Sequence, residues 1–141
     1  MSSHPQQSST LTVASLFTEF ARTLDTKDWE AYAADGELVL PWGDPIPQSD
    51  LVDVAQATLG GFSLTQHIIT NHYVHMAGDR GSASAYLQAT HVYSPEQEKE
   101  NWVVGGKYDV EVQLRNGTIL FSRVTLGLMW PTGPGPEISG R

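Results

Sequence analysis

The spacing of apolar residues divides the chain into a helical first part and a second part built of strands. The first apolar series recurs every three or four residues and consists of Val13, Leu16, Phe17, Phe20, Ala21 and Leu24. This spacing predicts an amphipathic helix that ends near Asp25. A second short helix is predicted over 29–34, and a third begins after Ser49 or Asp50.

From position 65 onward apolar residues alternate with polar ones, which is typical of strands. Four long strands are predicted, over 66–76, 81–93, 101–115 and 118–130. The pair Asn116-Gly117 predicts a tight hairpin between the last two strands, and Gly105-Gly106 is expected to form a bulge that bends the third. A short apolar run over 38–42 adds an edge strand or an extended segment.

The order of these elements indicates the fold class. Helices come first and an antiparallel meander follows, which favours an α+β fold in which a curved sheet wraps around the helices. The segment 1–10 is rich in Ser, Gln and Pro, and the segment 131–141 is rich in Pro and Gly, so both are expected to be flexible tails. One domain over 11–130 is the simplest organisation for 141 residues.

Composition and charge exclude several classes of function. Eight basic and sixteen acidic residues give a formal net charge of −8 without any cluster of Lys or Arg, so nucleic acid is a poor partner. The chain has no cysteine, and therefore no disulfide, thiolate nucleophile or thiolate metal site. No apolar run has the length of a signal peptide or a membrane span, which favours the cytoplasm and no membrane partner.

Three of the five histidines lie close together in the sequence, which raises the question of a metal site. In an extended strand His72 points away from His67 and His75, and these two lie roughly 26 Å apart at about 3.3 Å per residue. The three cannot share one ion. A site of His67 and His91 with a carboxylate is conceivable, but nothing in the spacing requires one. We therefore expect no metal site.

Two further residues stand at positions where chemistry is conceivable. His91 shares a strand face with apolar residues, so it is either a core histidine held by a neighbour or a titratable group in a pocket. Spacing alone favours the core histidine. Asp25 stands where the first helix ends, and by itself it is most simply explained as the carboxylate of a turn.

Several short runs together resemble the SnoaL-like family of the nuclear transport factor 2-like superfamily. They are LDTKDW at 24–29, TQH at 65–67, AYL at 85–87 leading to His91, and GGKY at 105–108. The resemblance implies a cone-shaped α+β barrel with a deep pocket between helices and sheet. Members such as scytalone dehydratase and hexachlorocyclohexane dehydrochlorinase mostly move protons without an organic cofactor, so no cofactor is expected, and the fold alone does not settle the reaction.

The resemblance also implies a catalytic site made of Asp25, His67 and His91. In the two members named above, to which this chain is most similar, an aspartate after the first helix matches Asp25 and a histidine on the facing strand matches His67. A second pocket histidine of the dehydratase matches His91. In such a site the carboxylate orients the imidazole and stabilises the imidazolium that forms when the ring removes a proton.

The chain departs from the dehydratase at several pocket positions. Leu24 and Trp42 stand where that enzyme has tyrosines, and Asp109 and Glu111 stand where it has a serine and an asparagine. Scytalone is therefore not the expected substrate. A hydroxyl could be restored to the pocket by Tyr32, Tyr73 or Tyr108. The residues expected to bind the substrate are Tyr32, Trp42, Asn71, Tyr108 and Asp109.

Three hypotheses on function follow. The first is a cofactor-independent lyase or isomerase, dehydratase-like, that acts on a small apolar or aromatic molecule by Asp-His acid–base catalysis. The second is a non-catalytic small-ligand-binding or structural subunit of the same fold. The third is hydrolysis of an epoxide by Asp109 or Glu111 together with Asp25, which is less favoured because Asp25 has no clear arginine partner.

Association into a homodimer or homotrimer is also expected, because members of this family expose the convex face of the sheet. In this chain that face is predicted to carry a large apolar set, namely Val103, Leu120, Val124, Leu126, Leu128 and Trp130. Such a set is too large to leave in contact with water.

Overall fold

A computed structural model describes residues 5–29, 37–41 and 43–136 of the chain. Two helices, α1 (Pro5–Asp25) and α2 (Leu51–Leu59), pack against one five-stranded mixed sheet. The strands are β1 (Glu37–Val39), β2 (Leu64–Ala77), β3 (Arg80–Val92), β4 (Trp102–Arg115) and β5 (Thr118–Thr132). Their spatial order is β1-β5-β4-β3-β2, with β1 parallel to β5 and all other pairs antiparallel. The predicted α+β fold of helices followed by a meander is therefore confirmed.

The start of the first helix differs from the sequence prediction, and one predicted helix falls mostly outside the described residues. Helix α1 begins at Pro5, within the segment 1–10 that was expected to be a flexible tail. A proline is tolerated in the first turn of a helix because its missing N–H would have no helical acceptor there. The predicted helix over 29–34 lies outside the described residues except for its first position. Neither α1 nor α2 is long and apolar enough to cross a membrane.

Helix α1 fills the concave side of the sheet with its apolar stripe. Val13 is fully buried and Phe17 is 1% exposed. The ring of Phe17 packs on those of Phe121 and Tyr108, at centroid distances of 4.9 and 6.3 Å. Burying this stripe removes the apolar surface of α1 from water, which is the main favourable term for docking the helix. It also brings the C-terminal end of α1 to the start of β2.

A bulge in β2 changes which residues face inward, and this differs from the sequence prediction. The pairing with β3 shifts between Thr70 and Tyr73, where Asn71 adopts a left-handed conformation with φ 58°. The extra residue reverses the alternation. His67 faces inward before the bulge and His72 faces inward after it, whereas a regular strand would place them on opposite faces. The prediction that His72 points away from His67 is therefore wrong.

The bulge expected at Gly105-Gly106 is present, but the extra residue belongs to the neighbouring strand. Gly105 pairs with Trp130 and Gly106 pairs with Leu128, so Met129 of β5 is the unpaired residue. A side chain on Gly105 would overlap the indole ring of Trp130. Glycine is thus required at position 105 by the close approach of a ring, as well as by the bend of the strand.

The bulges in β5 also correct the predicted convex face. The β4–β5 register shifts a second time at Ser122, so Val124 is buried in the core, and Leu126 and Leu128 line an internal cavity. Trp130, 42% exposed, does lie on the outer face. Exposed apolar residues of that face include Leu64, Ile68, Tyr73, Tyr86, Met129 and Trp130. Association through this face stays a prediction.

Candidate active site

The C-terminal cap of α1 fixes the position of Asp25, the last residue of that helix. The N–H of Asp28 donates to the carbonyl oxygen of Thr23 at 2.9 Å, and the N–H of Lys27 donates to that of Leu24 at 3.2 Å. With Lys27 in the left-handed conformation, at φ 58°, this is a Schellman motif. The motif ends α1 sharply and leaves Asp25 in its final turn.

Lys27 occupies a position where glycine is the usual residue, and its side chain has a structural role. The ammonium Nζ donates to the carbonyl oxygens of Phe62, at 2.7 Å, and Gly60, at 3.3 Å. These carbonyls belong to the segment that connects α2 to β2. Lys27 therefore ties the end of α1 to the start of the strand that carries His67, and these hydrogen bonds offset the cost of its left-handed backbone.

Three hydrogen bonds hold the carboxylate of Asp25. Its Oδ1 accepts from the hydroxyl of Thr65 at 3.0 Å and from Nδ1 of His67 at 2.6 Å, while its Oδ2 accepts from the backbone N–H of His67 at 2.8 Å. β2 is an edge strand, so this N–H has no neighbouring strand on its outer side. The donors offset the unfavourable placement of a negative charge at the C-terminal end of a helix.

These contacts determine the tautomer of His67. An ionised carboxylate can only accept hydrogen bonds, so Nδ1 carries the proton and Nε2 is left as the unprotonated nitrogen. The side chain of His67 is 5% exposed and that of Asp25 is 25% exposed. Asp25 thus sets the orientation of the His67 imidazole, whose ring lines the internal cavity.

His91 lies next to His67 on the inner face of the sheet. It is 3% exposed, and its Nδ1 donates to the carbonyl oxygen of Trp102 at 3.0 Å, which leaves Nε2 as an acceptor. The rings of His67 and His91 are 5.7 Å apart at an interplanar angle of 83°. Phe62 and Trp102 pack on His91 at 5.0 and 4.4 Å. His91 is therefore a held histidine that also lines the cavity.

The surroundings lower the pKa of both Asp25 and His91, and this has different consequences for their charge. Burial alone would raise the pKa of Asp25, but the hydrogen bonds from His67 and Thr65 and the interaction with His67 outweigh it and lower that pKa. Burial lowers the pKa of His91 to about 4, although the Trp102 carbonyl favours the protonated ring. At neutral pH Asp25 is therefore ionised and His91 is neutral.

The cavity between helices and sheet is lined mostly by apolar side chains. It contains about 660 Å³ of space including its open mouth. Among the described residues, its titratable or hydroxyl-bearing side chains are Thr58, His67, His91 and Tyr108.

The structure brings together some of the predicted site residues and separates others. Asp25, His67 and His91 form one cluster, and Tyr108 lines the same cavity. Asn71, Asp109 and Tyr73 lie elsewhere.

Asn71 is exposed at the bulge of β2, and Asp109 is exposed on the outer face, so neither is placed to bind a molecule in the cavity. Tyr73 is 75% exposed on the outer face and cannot supply the missing hydroxyl. Tyr32 and Trp42 lie outside the described residues.

Three contributors to the site were not assigned from the sequence. Thr65 lies two residues before His67, and strand alternation alone would have placed it on the same face. Phe62 and the carbonyl of Trp102 hold His91 through contacts that no local pattern reveals, because they join separate elements.

A third inward-facing histidine lies apart from this cluster. His72 packs against Phe17 at 5.4 Å, and burial lowers its pKa. Its Nε2 is buried without a hydrogen-bond partner among the described residues. Within the described residues no three His, Asp or Glu side chains are close enough to hold a metal ion.

A sequence profile of the SnoaL-like domain matches residues 7–125. The chain belongs to the SnoaL-like family. This confirms the family resemblance found in the sequence, and the family accounts for the helix-then-meander architecture. No curated protein matches the sequence.

Solved structures similar to this SnoaL-like chain cover nearly its whole length. A protein of Kribbella flavida is 26% identical with a TM-score of 0.79, over 86% of this chain and 91% of the other. A protein of Novosphingobium aromaticivorans, assigned provisionally as a scytalone dehydratase, is 18% identical with a TM-score of 0.78, over 92% of both chains. The hexachlorocyclohexane dehydrochlorinase LinA-type3 of Novosphingobium barchaimii is 14% identical with a TM-score of 0.78, over 96% and 93%. At 18% and 14% identity, the similarity to the last two proteins shows a shared fold and no more.

Proposed function

We propose that this SnoaL-like protein is a cofactor-independent lyase or isomerase, dehydratase-like, acting on a small apolar molecule. The observation that carries the proposal is the 2.6 Å contact between Asp25 Oδ1 and His67 Nδ1 at the wall of a mostly apolar cavity. A base oriented by a half-buried carboxylate and facing an apolar space is suited to removing a proton from carbon. Structural likeness to a dehydrochlorinase and to a provisionally assigned dehydratase supports this reaction class.

In the proposed reaction, Nε2 of His67 removes a proton from a carbon next to an activating group. Asp25 stabilises the imidazolium that forms. In a dehydration the electron pair of the C–H bond becomes a C=C bond as the C–O bond breaks, and the imidazolium returns its proton to the departing oxygen as water. In an isomerisation the same proton returns to another carbon. Either course leaves His67 neutral again.

His91 acts in this scheme as a hydrogen-bond acceptor. With a pKa of about 4 it is neutral at neutral pH, so it cannot donate a proton as an imidazolium there. Its Nε2 can accept a hydrogen bond from a hydroxyl of the substrate and so fix the reacting carbon near His67, 5.7 Å away between ring centroids.

Hydrolysis of an epoxide receives no support from the geometry. The carboxylates that would activate the water, Asp109 and Glu111, lie on the outer face of β4 and are exposed, whereas Asp25 lies on the inner side. A non-catalytic small-ligand-binding role is the second candidate. The observation that favours it is the apolar lining of the cavity, which would hold a ligand without any reaction.

A direct test is to follow the exchange of carbon-bound hydrogen for deuterium by NMR in D₂O. The probes are small neutral ketones, including β-hydroxy ketones, which carry both an acidic C–H and a leaving hydroxyl. The wild type is expected to accelerate exchange or elimination for at least one probe. His67→Gln should lose about 10²-fold to 10⁴-fold of that rate, because Gln cannot act as the base.

The matched control is His75→Gln, since His75 is exposed on the outer side of the same strand and its replacement should leave the rate unchanged. A folded His67→Gln variant with the full wild-type rate would contradict the proposal. Binding of the probes without exchange or elimination would favour the non-catalytic role.

We also propose that copies of the chain associate through the outer face of the sheet. Ile68, Tyr86 and Met129 are between 48% and 63% exposed around one groove, beside Trp130. Lysine and aspartate side chains lie on the same face, so two copies can pair opposite charges. Sedimentation should show a dimer or trimer at micromolar concentration, and a monomer would contradict this proposal.

A further inference from the structure

Thr65 occupies a position that the proposed reaction does not yet use. It is 3% exposed, faces the inner side of β2 and lies directly opposite His91 in the β2–β3 register. Its hydroxyl donates to Asp25 Oδ1 at 3.0 Å, the same oxygen that accepts from Nδ1 of His67. Burying a hydroxyl without a hydrogen-bond partner is unfavourable. The single proton of the Thr65 hydroxyl is donated to the carboxylate, so this contact is specific.

The three hydrogen bonds of Asp25 are not equivalent. Two of them come from His67 itself, one from the ring and one from the backbone N–H. Among the described residues, Thr65 provides the only side-chain or backbone contact of this carboxylate that is independent of His67. Without it, Oδ1 is oriented only by the ring that it orients, while Oδ2 keeps the backbone N–H of His67.

We infer that Thr65 is a positioning residue, which anchors the carboxylate of Asp25 so that Asp25 can hold the His67 imidazole in the orientation for proton removal. This inference rests on the proposed function for its effect on rate, but its geometric part concerns the Asp25–His67 pair alone. Thr65 touches no reacting atom in this scheme. It acts through Asp25.

The hydroxyl also stabilises the ionised form of Asp25, because hydrogen bonds to a carboxylate favour the charged state. Its contribution to the lowered pKa of Asp25 has the same direction as those of His67. Loss of the hydroxyl therefore raises the affinity of the carboxyl for a proton, in addition to loosening its position. Both effects weaken Asp25 as the partner of His67.

Three variants separate these effects. Thr65→Val removes the hydroxyl and keeps the shape and strand preference of the residue. Thr65→Ser keeps the hydroxyl and removes only the methyl group. Thr70→Val makes the same chemical change at an exposed position on the outer side of β2, so it controls for the general effect of the substitution.

The first readout is NMR and needs no substrate. Exchange of the His67 Nδ1 proton with solvent should speed up roughly tenfold in Thr65→Val, which corresponds to the loss of one hydrogen bond to a charged group. The carboxyl ¹³C resonance of Asp25 should titrate at higher pH than in the wild type. Thr65→Ser and Thr70→Val should match the wild type in both measurements.

The second readout is turnover of whichever probe the wild type converts. Thr65→Val should lower kcat roughly tenfold with little change in KM, and Thr65→Ser should restore it. A folded Thr65→Val variant with the wild-type exchange rate and the wild-type Asp25 titration would overturn the inference. Altered NMR readouts in a protein that converts no probe would uphold the anchoring and count against the proposed function instead, so the two failures are distinguishable.

Discussion

The inner and outer faces of the sheet each carry an acidic side chain beside a basic one, and the two pairs differ in their surroundings. Inside, Asp25 and His67 are 2.6 Å apart, and the His67 side chain is 5% exposed. Outside, Asp109 and Lys107 are 3.5 Å apart, and their side chains are 61% and 47% exposed. Water screens the outer pair, whereas the inner pair lies beside an apolar cavity where charge interactions are stronger. Burial therefore decides which pair is suited to chemistry.

The two faces are expected to differ most in the loss of catalytic rate when the aspartate of each pair is changed to asparagine. Asp25→Asn should lower the rate of the proposed reaction by at least about a hundredfold, because an amide can neither fix the His67 tautomer nor stabilise the imidazolium. Asp109→Asn should stay within about twofold, since Asp109 faces solvent. The measurement is kcat/KM on a probe that the wild type converts. Equal losses in the two variants would show that burial of the pair is not the deciding factor.

The next largest effect is a pH dependence of stability that only the inner face should produce. The pKa of His91 is lowered from 6.5 to about 4, so between these pH values the unfolded chain binds a proton that the folded chain does not. The stability that this provides is present above pH 6.5 and decreases as the pH falls toward 4, by on the order of 3 kcal/mol.

The His91→Gln variant, which keeps a donor for the Trp102 carbonyl, should lose this part of the pH dependence. His75→Gln, at an exposed position, should behave like the wild type. Urea unfolding at several pH values between 7 and 4 measures the free energy of unfolding of the wild type and of both variants. Parallel stability curves for wild type and His91→Gln would contradict the assignment of a buried, neutral His91.

A smaller effect tests how closely the ring of Trp130 packs on the outer face of the sheet at Gly105. Gly105→Ala should destabilise the protein by about 1–3 kcal/mol, because the added methyl group would overlap the indole of Trp130. Gly127→Ala is the matched control, since its Cβ would meet only the Lys107 carbonyl oxygen, at 3.9 Å. Its effect should stay within about 0.5 kcal/mol. Thermal unfolding of the two variants decides whether the ring of Trp130 packs on the sheet.

The smallest effect is expected for the outer ion pair. Lys107→Ala should change the free energy of unfolding by less than about 1 kcal/mol, because both side chains of the pair are well exposed and the ions are screened by water and salt. Denaturant unfolding at low and high salt measures the change. A loss above 2 kcal/mol would mean that the outer pair is coupled to more of the structure than its exposure indicates.

Regular patterns made most of the fold predictable. The spacing of apolar residues located α1, and the four long strands are predicted to within two residues at each end, because burial of one face imposes a fixed period on the sequence. The predicted alternation in β3 holds over its whole length, so His91 was correctly placed on the apolar face.

The errors arise where the period is interrupted. Asn71 was predicted to face the same side as His67, but one extra residue at the bulge turns it outward and brings His72 inward. The bulges in β5 likewise place Leu126 and Leu128 at the cavity, whereas they were predicted on the outer face. Asp109 was misplaced because its predicted role depended on an alignment with a relative and not on strand alternation.

The sequence by itself determined the order of elements, the likeness to the SnoaL-like family and the identity of the residues proposed to act, Asp25, His67 and His91. Only the tertiary structure decided that Asp25 is the anchored partner of His67 and not a turn carboxylate, and that Thr65 completes the contact. The physical reason is that periodicity records which face of an element is buried. A hydrogen bond between the end of α1 and the edge of β2 depends on how these two elements, distant in the sequence, dock together. No local sequence pattern corresponds to that docking.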